Sequence, residues 1–454
     1  MRLWMDVMRD LESVMDDHER IFDAWAEGGV EGVVFGPLVF GTDKLLPGTR
    51  FVRGETPATP AFDPDPEVYR RLGVRAPPAA RPEPEKRALL ERTLHAAKER
   101  DFTVTLMYTD SGAGPGGPGH YLVDDESLRA RVARMVDTLE SFPMADGAVM
   151  DGPEWGYEIA PHHMNHRSYI FHDLPPEVEP VCAALGYDYT LLVAAKDRLY
   201  SRLHHLTPQD IRLHRGGGVL GAFQLLGSDP DLFAWFRFRV EAMTQYLRRL
   251  RALLNAELSR PVHLGIGPRS AAFAPLTGMD MGALAEFMDL LHPKHYFWHR
   301  GFDGFVGTVH RYIEVLCEWS PTLSDADALA VVEALFGIRL PGVSDRLDCE
   351  WALTPEFYRE VVAQETQRAL AAVDDPQRIV PWVDAGRFPH DGDPMSAGDL
   401  RLLLESAAGA GLQRFLYHHQ GNLTAGEWTV LSEMCGTRWN PRRSQYQPPD
   451  ALVL

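Results

Sequence analysis

The sequence predicts an α/β protein, a single (β/α)8 TIM barrel with long loops inserted after its strands. Three observations carry that expectation. Short apolar runs alternate with amphipathic helical stretches along nearly the whole chain of 454 residues. Eight such strand-and-helix units can be marked out. The first strand-to-helix turn, DVMRDLES, contains no glycine. An open doubly wound sheet ordinarily has a Gly-rich phosphate turn at that point, whereas eight βα units close into a barrel.

The units follow in order. Leu3 to Val7 is the first strand, with a helical pattern running to about Trp25, and residues 32–36 form the second. A Pro-rich stretch, about 42–84, is too broken for regular structure and is expected as an excursion after strand two. Helix 85–100 and strand Thr103 to Tyr108 resume the alternation. Helix 125–141 leads into Ala148 to Met150, the fourth strand. An irregular insertion, about 152–228, carries helices near 187–203 and 207–214. A long helix, 229–257, precedes strand five at Val262 to Ile266, and helix 280–289 precedes strand six within 290–298. Helices near 303–317, 324–336 and 354–373 surround a third insertion at about 318–353. Strand seven is Ile379 to Val383, helix 397–408 leads to strand eight at Arg414 to Tyr417, and a last helix begins near Ala425. Residues 1–454 are therefore expected to be one domain.

Bulk properties narrow the function. The hydrophobic fraction is 45% and the charged fraction 24%, ordinary for a globular chain with a full core. A formal charge of -19 argues against a nucleic-acid partner, which would need a basic face. The four cysteines (Cys182, Cys317, Cys349, Cys435) form no CxxC pair, so neither a disulfide framework nor a zinc knuckle is expected. The N-terminus turns acidic at once, without the apolar core of a signal peptide, and no apolar run reaches membrane-spanning length. The expectation is a cytoplasmic protein with no membrane partner; oligomeric state is left open.

In a barrel, the residues just past each strand face the pocket. Those positions hold Asp6, Tyr108 with Asp110, Asp151 with Glu154, Trp155 and Glu158, Arg269, His295 with Tyr296, Trp382 with Asp384, and His418 with His419. Paired carboxylates suit cleavage of a glycosidic bond, in which one group gives a proton to the leaving oxygen and another stabilises or attacks the anomeric carbon. Asp151, directly after an apolar strand, is the first candidate. Asp384 or Glu154 is its expected partner. Asp6, Tyr108, Asp110, Glu158, Arg269, His295 and His418 are candidate contacts to sugar hydroxyls. Trp155, Tyr296 and Trp382 could stack on sugar faces. Taken singly, each has a plainer account: Asp151 a cap, Glu154 and Glu158 solvated loop acids, Trp382 a wall residue, Asp384 a turn before Gly386. Only the constellation favours function.

Two further patterns were weighed. The run PHHMNH at 161–166 places His162 and His166 four apart, a zinc-compatible spacing on a helix, but Pro161 argues against a helix there. A divalent ion could instead be held from strand ends by Asp6, Asp151, His295 and His418. The glycine cluster at 112–117 lacks the spacing of a phosphate loop, and no GxSxG elbow occurs.

The run ADGAVMDGPEWGYE resembles strand four of bacterial glycosyl-hydrolase-like TIM barrels, which carry Asp-Gly, an apolar run, then Asp and aromatics. FAWFRFRVEAMTQYLRRLRALLNAELSRPVHLGIGP resembles the helix and strand that follow in that group, and MDLLHPKHYFW the strand after. The resemblance covers roughly residues 100 to 300 and implies that Asp151 is the catalytic acid. Two departures stand out: Gly152-Pro153 follows Asp151 where a second acid or a Tyr is usual, and strand five ends in Gly267-Pro268 without a Glu. The expected function is thus hydrolysis of an oligosaccharide by paired carboxylates, with no cofactor. A metal-dependent sugar isomerase or hydrolase, or a non-catalytic carbohydrate-binding barrel, is the alternative.

Overall fold

The computed structural model describes residues 1–8, 11–41, 59–79, 83–109, 125–160, 169–172, 174–387 and 389–449. Its barrel strands are β1 (Arg2–Val7), β2 (Val30–Phe35), β3 (Thr103–Thr109), β4 (Gly147–Asp151), β5 (His263–Ile266), β6 in two halves (Leu290–Leu291 and Lys294–His295), β7 (Trp382–Val383) and β8 (Arg414–Tyr417). All pair in parallel, in the order β5-β4-β3-β2-β1-β8-β7. The first half of β6 pairs with β5 and the second half with β7, and this closes the barrel. The split falls at His292-Pro293, because a proline cannot donate to a ladder. His292 N donates to Ile266 O (2.8 Å) and Lys294 N to Pro268 O (3.1 Å) on one side. On the other, Val380 N donates to Leu291 O (2.9 Å) and Trp382 N to Pro293 O (3.0 Å).

Each expected strand is present, and the helical pattern between strands is largely as read: Pro84–Glu99, Asp125–Ser141, Pro230–Glu257, Phe305–Trp319 and Ala397–Gly409 lie within a few residues of expectation. The Pro-rich stretch does contain regular structure, which corrects the sequence expectation. Pro66–Arg71 is a helix: Pro66 starts it with its fixed φ, and the Asp65 carboxylate accepts from Glu67 N at 2.9 Å. The insertion after β4 is also largely helical, with Tyr189–Leu203, Pro208–His214 and Gly218–Leu225. The glycine cluster at 112–117, Asp110 and the histidines of 161–166 lie outside the described residues. Among the described residues, no helix is long and apolar enough to cross a membrane.

The barrel interior is aromatic. Trp4 from β1 and Trp382 from β7 flank His292 from β6, with ring centroids 6.3 and 6.1 Å away. Inward glycines make the room: a Cβ on Gly32 would lie 2.5 Å from the Trp4 indole, and one on Gly267 would lie 2.9 Å from Trp382. Gly32→Ala is therefore expected to destabilise by about 1–3 kcal/mol through overpacking. Urea unfolding would show it as a lower midpoint; a midpoint equal to the parent's would mean that Trp4 yields freely.

Candidate active site

Side chains alternate along a strand, so the ladder register decides which residues face inward. Trp382 pairs with Lys294 and with Leu416, and Leu416 pairs with Trp4. Those four share the interior. Two residues on, Asp384, Tyr296, His418 and Asp6 share it as well, one layer nearer the C-terminal mouth. By the same parity Asp151, at the end of β4, faces the mouth.

Asp151 sits in a lattice of charges. Its Oδ1 lies 3.0 Å from Lys294 Nζ, which also stands 3.6 Å from Asp303 Oδ2. Asp303 is ion-paired with Arg269 and accepts from the Tyr157 hydroxyl at 3.2 Å. Arg269 Nε in turn holds Glu154, at 2.8 and 3.0 Å. Lys294, Asp303 and Arg269 are buried, whereas the Asp151 side chain is 33% exposed. Burial opposes ionisation of Asp151, but the charges of Lys294 and Arg269 outweigh it and hold this carboxyl below its usual value. The same two cations overcome burial at Asp303 and hold it well below the carboxylate range. Both acids are therefore ionised at neutral pH.

The opposite wall is built from β1, β7 and β8. Asp6 is fully buried and is ion-paired with His418 Nδ1. Burial raises its pKa against the pull of His418. Asp384 Oδ1 accepts from Gly386 N at 2.6 Å, so it does turn the chain, while its Oδ2 lies 3.6 Å from His390 Nδ1. The His418 ring stacks on Trp382 with centroids 5.1 Å apart and planes 5° from parallel. Tyr296 lies buried between the two walls. Burial first, then the fields of Asp384, Asp151, Asp303 and Asp6, keep its phenol protonated far above the usual range.

The structure thus gathers Asp6, Asp151, Glu154, Arg269, Tyr296, Trp382, Asp384 and His418 around the mouth. It places other candidates elsewhere. His295 is one residue out of phase and points outward, its Nε2 2.9 Å from Thr366 Oγ1 in the helical layer. It can serve neither sugar nor the ion site first considered. Tyr108 is also outward, its ring 5.6 Å from the guanidinium of Arg134 on the flanking helix. Glu158 is buried and paired with Arg311, Nε to Oε1 3.0 Å, which removes it from substrate. Trp155 is buried too, donating from Nε1 to Arg239 O at 2.9 Å, so it is no sugar platform. Trp382 forms the floor below the mouth and not a stacking face. Three residues were missed: Lys294, Asp303 and His390. Lys294 had a signal, being one of five lysines in a chain with forty arginines and lying at an inward strand position.

A separate apolar cavity of about 970 Å³ lies among the helices of the insertions, lined by residues such as Ile159, Phe171, Leu203 and Phe236. None of the charged residues of the mouth lines it.

Neither a family model nor a curated protein matches the sequence. Among solved structures, the chain is similar to the glycoside hydrolase domain of PgaB from Bordetella bronchiseptica, with 12% identity and a TM-score of 0.48, over 97% of this chain and 100% of that one. It is also similar to a GH18 chitinase from Pseudoalteromonas aurantia (8% identity, TM-score 0.41, 97% and 100% of the chains). A chitinase from Rhizomucor miehei gives 11% identity and a TM-score of 0.40, over 96% and 100%.

Proposed function

We propose that the protein is a glycoside hydrolase acting on an oligosaccharide at the C-terminal mouth of the barrel. One observation carries the reading: Asp151 is held ionised by Lys294 and Arg269 and is still open to solvent. Glycosidic cleavage needs one carboxylate that stays charged and one group that keeps a proton, set apart by their surroundings. Asp151 supplies the negative charge at the anomeric carbon. The proton for the leaving oxygen comes from the opposite wall, where burial raises Asp6 and where Asp384 lies. Glu154 is excluded as proton donor, since both its oxygens accept hydrogen bonds from Arg269. A barrel that only bound carbohydrate would keep its aromatic faces reachable, yet Trp155, Tyr296, Trp298 and Trp382 are all buried.

The test is release of reducing ends or chromophore from a panel of oligosaccharides and aryl glycosides. The acid limb of kcat/KM is expected to lie below the ordinary carboxylate value. Removing the ammonium in Lys294→Met takes away the nearest cation that opposes burial, so the limb moves up toward the ordinary carboxylate range. A limb that stays in place in this variant would remove Asp151 from the charged role.

A further inference from the structure

We propose that His390, His418 and His419 hold one divalent transition-metal ion in the mouth of the barrel. The three imidazoles come from the loop after β7 and the end of β8, and one ring nitrogen of each lies within 4.8 Å of the others. All three are buried. Neutral imidazoles at that spacing form the three-nitrogen face that zinc and its neighbours prefer, with a fourth position left for water or a sugar hydroxyl.

The surroundings supply a second, independent observation. Asp384 is 2% exposed, and its Oδ2 is buried without a hydrogen bond, as is His390 Nδ1. Among the described residues, Asp6 and Asp384 make no ion pair with a lysine or arginine; Asp6 is paired with His418 Nδ1, and Asp384 Oδ2 faces His390 Nδ1 at 3.6 Å. A buried polar group left without a partner is costly, and a metal ion on the adjoining imidazoles would draw both side chains into charge-assisted contacts. Each of these two acids faces the Nδ1 of a histidine, the outer-shell arrangement that fixes a ring and leaves Nε2 as the donor. Stacking on Trp382 fixes the His418 ring further. His419 has φ of 61°, in the left-handed region that strains a non-glycine residue, and its ring centroid lies 3.6 Å from that of His418.

The site goes beyond the glycosidase reading and stands whether or not that reading holds. The full chain, stripped with EDTA, would be titrated with Zn²⁺ by calorimetry and with Co²⁺ by visible absorption. About one ion per chain is expected, with a d–d spectrum of low coordination number. His390→Ala and His419→Ala should abolish binding, and Asp6→Asn should weaken it roughly 10–100-fold. Asp151→Asn should bind like wild type while losing hydrolysis, which separates the two proposals. Wild-type protein that takes up neither ion, or folded histidine variants that bind as tightly as wild type, would overturn the site.

Discussion

Asp151→Asn is expected to lower turnover of a cleaved oligosaccharide by about 10²–10⁴-fold and to leave the chain folded. The loss follows from charge and not from shape. Asparagine keeps the size of the side chain and an oxygen facing Lys294, but it cannot carry the negative charge needed at the anomeric carbon. The fold survives for a local reason. Asp151 is a third exposed, so its neutral replacement remains solvated, and Lys294 retains Asp303 at 3.6 Å and is not left as an unpaired buried cation. Circular dichroism and the thermal midpoint should match the parent within a few degrees. Near-normal turnover in a folded Asp151→Asn protein would end the assignment, and with it the carboxylate mechanism at this mouth.

How far the site was legible depends on what kind of signal each residue carried. The strands were visible because apolar runs bounded by turn residues survive in the sequence, and even the split strand at LLHPKH reads as one element. Positions past the strands led directly to Asp6, Asp151, Asp384 and His418. What went wrong was phase. Tyr108 and His295 adjoin inward positions, but a strand turns successive side chains to opposite faces. Counting in steps of two from Trp382 and Lys294 would have rejected His295 and found Lys294. Asp303 and His390 were beyond such counting, since they lie in loops that return to the mouth only in three dimensions. Asp303 does so through a left-handed residue, φ 65°, in the turn after β6. Glu158 and Trp155 erred the other way: both stand near Asp151 in sequence, yet Arg311 and Arg239, distant in sequence, draw them into the core.

The other large effect concerns acid stability, and it arises from two histidines with no role in the mouth. His292, inside the barrel, donates from Nδ1 to Val380 O (2.9 Å), and burial lowers its pKa to about 4. Burial lowers His295, between β6 and the helices, to about 3. An unfolded histidine titrates near 6.5. Between these values the unfolded chain binds protons that the folded chain refuses, so the contribution to stability is complete above about pH 6.5 and is lost as pH falls toward the folded values. At about pH 5 each residue is expected to cost about 2 kcal/mol relative to neutral pH. Asp151 and Asp303 also favour the folded state less in acid, but their loss begins lower, near the unfolded carboxylate value. Burial at Asp6 and Glu365 raises those acids and acts in the opposite direction. The comparison is therefore made as a difference: urea midpoints at neutral pH and near pH 5 for wild type and for His295→Gln. Glutamine can still meet Thr366 but does not titrate, so the variant should show a shallower loss of stability between the two pH values than wild type. A wild type equally stable at both pH values, or a variant with the full slope, would mean that these rings take up protons in the folded state.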